Sequence, residues 1–238
     1  MNEQTYIGGE LEMFAQAKHW KGYWTSHLRR YIVGSVLEVG AGQGANTFLL
    51  RSGAQERWVC LEPDPQLAEA LRKKAAHTLS SLAPDVRDGT IASLGAAESF
   101  DTILYIDVLE HIKEDGEELQ QAATHLNPLG HLIVLAPAHS WLFSRFDYAI
   151  GHFRRYTANR LKVLTPSNLR IADAFYLDSV GLIASAANRF VLRQSLPNAR
   201  QIHWWDSFMV PCSQFLDPLI AHRLGKSVVC VWQRKHGP

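Results

Sequence analysis

Glu38, Glu62, Asp88 and Asp107 stand at or near the ends of four short apolar runs: Val36-Leu37-Glu38-Val39, Trp58-Val59-Cys60-Leu61, the run around Val86, and Thr102-Ile103-Leu104-Tyr105-Ile106. Runs of this length, closed by Gly, Pro or Asp, read as buried strands. Behind the first lies Gly40-Ala41-Gly42-Gln43-Gly44. Glycines there allow positive φ and remove the Cβ atoms that hold a ligand away from the main chain. A helix expected to open near Gly44 turns unpaired N–H groups toward the same place. The chemistry this spacing suits is the holding of a small anionic or nucleoside ligand. Glu62 falls 22 residues after Gly40, the separation at which a strand-end acid accepts from ribose hydroxyls.

Charge narrows the ligand. Four acids around a pyrophosphate would repel it, whereas a cationic ligand would be drawn in. The glycine turn alone is not decisive, since Gly40-x-Gly42-x-x-Ala45 also meets the relaxed dinucleotide pattern of a nicotinamide-dependent oxidoreductase. A non-catalytic protein that binds the same nucleoside is a further alternative. Each acid has a plainer reading too. Glu62 can serve a helix N-terminus through the dipole, Asp88 can be a turn residue before Gly89, and Glu38 is either a ligand contact or a residue that orders the glycine loop.

Five segments in order, Val36-Leu37-Glu38-Val39-Gly40-Ala41-Gly42-Gln43-Gly44, Leu61-Glu62-Pro63-Asp64, Asp88-Gly89, Phe100-Asp101-Thr102-Ile103 through Asp107-Val108-Leu109-Glu110-His111-Ile112, and Leu126-Asn127-Pro128-Leu129-Gly130-His131-Leu132-Ile133-Val134, resemble the class I S-adenosylmethionine-dependent methyltransferases. The resemblance implies an α/β fold, a doubly wound, seven-stranded Rossmann-like sheet with an antiparallel last strand, carrying a helical N-terminal section and a C-terminal insertion as a cap. It implies S-adenosyl-L-methionine as cofactor and S-adenosyl-L-homocysteine as product. Gly40 and Gly42 would pack against the methionine moiety, Glu62 would hold the ribose, Asp88 with Gly89 would meet the adenine amine, and Asp107 would lie near the methionine end beside Val108. Glu38 is counted with this cofactor set.

The reaction needs an acceptor atom in line with the methyl–sulfur bond, and a base only where the acceptor enters protonated. His111, just past the fourth strand end, is the first candidate base and His152 the second; His111 docking its loop onto the fold is the plainer reading. The segment from Ala136 to Thr157 mixes aromatics, histidines and paired arginines. Its Gly151-His152-Phe153-Arg154-Arg155-Tyr156 run is similar to a bacterial subgroup of these enzymes. Tyr23, His139, Arg154, Arg155, Tyr156 and Trp204 are expected to bind substrate. Alternatively Arg155 pairs with Asp147 to pin the loop, and Tyr156 caps the next helix.

The elements that must position these groups alternate along 238 residues, of which 47% are hydrophobic, enough for one sizeable core. A single domain is expected: residues 1–33 as helical cap, 34–136 as cofactor core, and 137–238 as substrate side with a lid insertion over 196–226. Helices are expected over Leu11–Tyr31, Pro65–Leu82, Glu114–Leu126 and Ser179–Arg193, and later strands over Gly130–Ala136, Arg170–Leu177 and Ser227–Gln233. A formal charge of +1 implies no strong field for nucleic acid, and with the aromatic lid it weighs toward a small-molecule substrate and against a nucleic acid. Cys60, Cys212 and Cys230 lack metal or disulfide spacing and read as buried thiols, and no metal site is expected. No apolar run is long enough to span a bilayer, so a cytoplasmic protein without stable membrane insertion is expected. The oligomeric state is not readable.

Overall fold

The structure, a computed structural model, describes residues 17–78, 83–192 and 199–235. The expectations that touch Leu11, Phe14, Leu82, Arg193 and 196–198 lie outside those residues. Seven strands form one sheet: β1 (Ser35–Val39), β2 (Arg57–Glu62), β3 (Asp85–Asp88), β4 (Phe100–Ile106), β5 (Leu126–Pro137), β6 (Leu169–Leu177) and β7 (Ser227–Arg234). Their order is β3-β2-β1-β4-β5-β7-β6. The pairs from β3 through β5 are parallel, and β7 runs antiparallel between β5 and β6. Strand order reverses between β1 and β4, which opens a crevice beyond their carboxyl ends.

Both faces of the sheet are covered, as continuous apolar strands require. Val36, Trp58, Cys60, Leu104, Ile133 and Val231 pack on one side; Leu37, Val59, Leu61, Ile103, Leu132 and Cys230 pack on the other. The helices are α1 (Lys18–Leu28), α2 (Thr47–Leu50), α3 (Pro65–Ala76), α4 (Asp115–Thr124), α5 (Arg145–Ala149), α6 (Ala158–Val163), α7 (Ser179–Ala187), α8 (Ala199–Trp204) and α9 (Val210–Leu219). Asp64 caps α3, its Oδ1 accepting from the amides of Gln66 at 2.8 Å and Leu67 at 3.1 Å, with Pro65 in the first turn. That places the start of α3 where the sequence puts it. Its end comes at Ala76, well before Leu82.

Other bounds shift for local reasons. The glycine turn does not pass straight into a helix, because α2 begins only at Thr47 and spans one turn. Strand β5 begins at Leu126, ahead of Gly130, with an irregular register between Phe100 and Thr102 of its neighbour. After Ala187 the α7 helix widens into π geometry over Asn188–Leu192, and a second π turn, Trp205–Met209, joins α8 to α9. Cys60 and Cys230 are buried, but Cys212 is exposed on α9, against the reading of three buried thiols. No helix among the described residues is long and apolar enough to cross a membrane.

The cap is a packed assembly of α1, α8 and α9 held by three buried aspartates. Asp206 accepts from the Trp20 amide at 2.8 Å. Asp217 accepts from Tyr23 Oη at 2.8 Å and from the amides of Asp178 at 2.7 Å and Ser179 at 3.1 Å. Asp178 in turn accepts from Trp205 Nε1 at 2.7 Å, Ser213 Oγ at 2.8 Å and the Gly181 amide at 2.9 Å. Multiple donors on each buried carboxylate offset its lost hydration.

Candidate functional site

The crevice is built first from backbone. Gly40 (φ 67°), Gly42 (φ 56°) and Gly44 (φ 78°) all occupy the left-handed region, where a side chain is strained. The amides of Gly40 and Ala41 both donate to the Leu61 carbonyl, at 2.8 and 3.1 Å, which ties the turn to the end of β2. A Cβ on Gly40 would lie 2.7 Å from Val108 Cγ2, so that glycine serves packing between the first and fourth strand ends. A Cβ on Gly42 would meet nothing within 4 Å. Gly42 therefore fronts open space, the kind of cradle a ligand fills.

Glu62 reaches over this loop. Its Oε2 accepts from the Gly42 amide at 2.7 Å, and its Oε1 accepts from the Asp64 amide at 3.0 Å. Burial raises its carboxyl above the usual value, opposed by those two amides. Gly89, at the tip of β3, donates its amide to the Glu62 carbonyl at 3.1 Å. Gly40, Gly42, Glu62, Gly89 and Val108 thus share one edge of the sheet.

One of the four acids leaves that edge and a second is already paired there, which corrects the expectation of a ring of free carboxylates. Glu38 lies in the core, where its Oε2 accepts from Thr47 Oγ1 at 2.7 Å and Trp58 Nε1 at 3.0 Å. Burial pushes its carboxyl up to about 7, against the pull of those donors. The cause is the pleat: Glu38 shares a face with Val36, not with the strand tip. It anchors α2 under the glycine turn through side chains, not through loop amides. Asp88 is exposed and pairs with Arg72 of α3 at 2.6 Å, so its charge is already met from within the chain.

Asp107 takes a left-handed conformation (φ 55°), uncommon for a side-chain-bearing residue, and its amide donates to the Leu135 carbonyl at 2.8 Å. It retains accessible surface while protein crowds round it, and that loss of water pushes its carboxyl up to about 6, with His152, Lys226 and Lys21 pulling the other way. The two lysines had no place in the sequence reading. Lys226 Nζ stands 4.4 Å from the centre of the Trp205 ring, and burial lowers the pKa of both lysines.

Behind Asp107 lies a tight cluster. The 3₁₀ turn Leu109–His111 supplies Glu110 and His111, and the loop after α5 supplies His152. The rings of His111 and His152 meet edge to face, 4.6 Å apart at 85°. Glu110 is fully buried, and neither of its carboxylate oxygens has a hydrogen-bond partner among the described residues. Burial drives its carboxyl well above the usual range, and the Asp107 charge adds to that. Burial, then His152, brings His111 down to about 4, while a hydrogen bond to the Gly151 backbone works against them. His152 Nδ1 lies 3.1 Å from Asp147 Oδ1. Asp147 is held in turn by Arg155, Nε at 2.7 Å and Nη2 at 2.9 Å, and by the amide and hydroxyl of Ser144. Burial would raise Asp147, but His152, Arg155 and Ser144 together hold it well below the ordinary carboxylate range. Glu110 and Asp147 were both missed as site residues. The signal for Glu110 was its place between Asp107 and His111; Asp147 enters the sequence reading only as a loop-pinning partner of Arg155, and its spacing from Ser144 is that of a capping box.

Most of the expected substrate contacts are spent inside the fold. Arg155 pairs with Asp147 as described, the pinning alternative. Arg154 donates to the Lys113 carbonyl at 2.6 Å and pairs with Asp115 at 2.7 Å. Tyr156 is buried, its hydroxyl 3.1 Å from both the Leu109 carbonyl and Asp115 Oδ2. It does not cap α6; Thr157 does, accepting from the Arg160 amide at 3.1 Å. Tyr23 is buried against Asp217, as above. Trp204 faces outward beside Phe208, whereas Trp205 turns inward. His139 sits half-buried with Nε2 3.0 Å from the Gly225 carbonyl and its ring stacked on Tyr176.

Known proteins carry the same pattern. The methyltransferase domain family matches residues 37–132. Among characterised proteins, the ubiquinone biosynthesis O-methyltransferase of Bradyrhizobium diazoefficiens is 30% identical over 140 residues, covering 56% of this chain and 54% of the relative. The chain thus spans about half the length of the curated relatives it matches. Among solved structures, the methyltransferase in complex with the Haloferax volcanii Trm112 activator superposes with a TM-score of 0.67 at 14% identity, over 99% of both chains. Coclaurine N-methyltransferase bound to N-methylheliamine and S-adenosylhomocysteine superposes with a TM-score of 0.62 at 14% identity, over 90% of this chain and 72% of that one. At such identities the superpositions speak for the fold alone. With the sheet order and the glycine turn, they give this chain the fold of the class I S-adenosylmethionine-dependent methyltransferases, and residues 37–132 of it match the methyltransferase domain.

Proposed function

We propose that the protein transfers a methyl group from S-adenosyl-L-methionine to an oxygen or nitrogen atom, with carbon as a further acceptor, of a small and moderately apolar molecule. The observation that carries this reading is the Glu62 carboxylate seated on the Gly42 amide, at a strand tip that fronts open space. A carboxylate has about four acceptor positions, so one spent on Gly42 and one on Asp64 leave two for a ribose diol. When bound, the cofactor supplies an electrophilic methyl group on a sulfonium.

The chain's own groups do the rest. Gly40 and Gly42 let the backbone approach the methionine portion, Gly89 and Val108 border the nucleoside, and Asp107 stands toward the methionine end. Holding the acceptor in line supplies much of the rate in such a displacement. An acceptor proton is handled at the His111–His152 pair, which lies next to Asp107. Oxygen is the favoured acceptor atom because the curated relatives are named as O-methyltransferases. Lys21 and Lys226, which act on Asp107 electrostatically, suit an acceptor that is acidic or becomes anionic.

Calorimetry with S-adenosylhomocysteine and with NADH separates this reading from a nicotinamide enzyme. Saturable heat with S-adenosylhomocysteine alone is expected, and heat with NADH alone overturns it. Release of S-adenosylhomocysteine on mixing with a panel of phenols and amines then identifies the acceptor atom.

A further inference from the structure

We propose that Glu110, His111 and His152 form a binding site for one borderline divalent cation, of the zinc, cobalt or manganese kind, beside the methyl-transfer crevice. One ligand atom from each residue lies within 4.8 Å of the other two. Glu110 Oε1 and His152 Nε2 are 3.8 Å apart, too far for a hydrogen bond. Ligand atoms in a tetrahedral zinc site stand about 3.3 Å apart, given metal–ligand bonds of about 2.0–2.1 Å. A small inward movement of three side chains therefore meets the geometry.

Two further observations point to a ligand. The first is the Glu110 carboxylate itself: it is fully buried, and both its oxygens lack a hydrogen-bond partner among the described residues. Buried carboxylates are ordinarily satisfied or ligate a metal. The second is the outer hydrogen bonding of the two imidazoles. His152 turns Nδ1 to Asp147, and His111 makes a ring hydrogen bond to the Gly151 backbone. His152 Nε2 is thereby left facing Glu110, and His111 offers one nitrogen to the same cluster. An imidazole oriented by a carboxylate or carbonyl, with that carboxylate fixed in turn by Arg155, is the outer shell that metal-binding histidines have. Asp107 adds negative charge next to Glu110, which a dication would balance.

Two imidazoles and one carboxylate favour a borderline cation over magnesium. Three protein ligands leave at least one position open, the arrangement of catalytic rather than structural sites. The open position would take an acceptor oxygen, whose proton would then leave to solvent and not to either imidazole when the cation is bound, and this narrows the acceptor to a phenol or enol able to coordinate. This last step rests on the methyl-transfer reading; the site itself does not.

The test uses the full chain, freed of metal by a chelator and titrated with Co²⁺ and then Zn²⁺, without cofactor. One equivalent of Co²⁺ is expected to bind with visible bands of four- or five-coordinate intensity, and Zn²⁺ is expected to displace it. Glu110→Gln and His152→Ala should each weaken binding at least tenfold, Asp147→Asn about tenfold, and His77→Ala, on an exposed histidine, not at all. Should a variant fail to fold, the wild-type protein with Co²⁺ still gives a readout: two paramagnetically shifted imidazole N–H resonances. Absence of stoichiometric binding, binding that survives both ligand substitutions, or an equal loss in His77→Ala overturns the site. S-adenosylhomocysteine binding measured on the same sample keeps the two readings apart. Its presence without Co²⁺ binding defeats only the cation site, and its absence alongside Co²⁺ binding defeats only the methyl-transfer reading.

Discussion

Oε2 of Glu62 lies 2.7 Å from the backbone nitrogen of Gly42 and accepts its hydrogen bond, so the end of the second strand holds the turn that follows the first. Preformed in this way, the carboxylate would meet the ribose diol of the proposed cofactor without moving. Glu62→Ala should weaken S-adenosylhomocysteine binding by about 1–3 kcal/mol, the range for charged hydrogen bonds, and should loosen the glycine turn as well. Calorimetric titration of the variant checks this, and an unchanged affinity removes Glu62 from the site.

Gly40 and Gly42 share a backbone conformation but not a setting. An alanine at Gly42 meets no neighbour within 4 Å, so Gly42→Ala costs about 1–2 kcal/mol of left-handed strain, leaves the protein folded, and intrudes on the space proposed for the cofactor. An alanine at Gly40 meets Val108 at 2.7 and 2.8 Å, so Gly40→Ala should lose more stability than Gly42→Ala. Paired thermal unfolding and S-adenosylhomocysteine titration distinguish them. Full cofactor affinity in folded Gly42→Ala would count against the cradle.

Glu38 gives the chain a pH dependence of known sign. Its carboxyl is pushed up to about 7 in the folded protein by burial, against about 4.3 when unfolded. Between those values the folded state holds the extra proton, so stability falls as pH rises from about 4.3 to 7 and this contribution is flat above. Glu38→Gln should remove that slope, so that its melting temperature relative to wild type rises through this window. A constant offset across the window would show that Glu38 is not the group responsible.

The fold was legible where its determinants are local. Asp64-Pro65 announces a helix start by its own capping chemistry, and the apolar runs around Val36, Val59 and Leu104 announce buried parallel strands. Side-chain direction was less legible. Glu38 was grouped with strand-end acids because of its position in sequence, yet the two-residue period of a strand turns it toward Thr47 and Trp58. Asp88 and Arg155 looked available for ligand because their partners, Arg72 and Asp147, come from other elements. The Glu110, His111 and His152 cluster was hidden for the same reason: His152 lies 42 positions beyond Glu110 in the sequence, on the loop that brings it back. With Glu38 buried and Asp88 paired, the ring of acids loses two members, and the likeness to the methyltransferases rests on the sheet order and on the domain match over residues 37–132.

Tyr23 tests the correction on the substrate side. In place of a crevice contact it makes a buried hydrogen bond to Asp217, 2.8 Å long, that joins α1 to α9. Asp217 keeps two backbone donors when that hydroxyl is removed, so Tyr23→Phe should cost only about 0.5–1.5 kcal/mol with the aromatic packing intact. The loss belongs to the cap, not to chemistry. Denaturant unfolding should therefore register it, while the KM for the acceptor, once known, stays within about twofold of wild type. A large rise in that KM with unchanged stability would return Tyr23 to the substrate site.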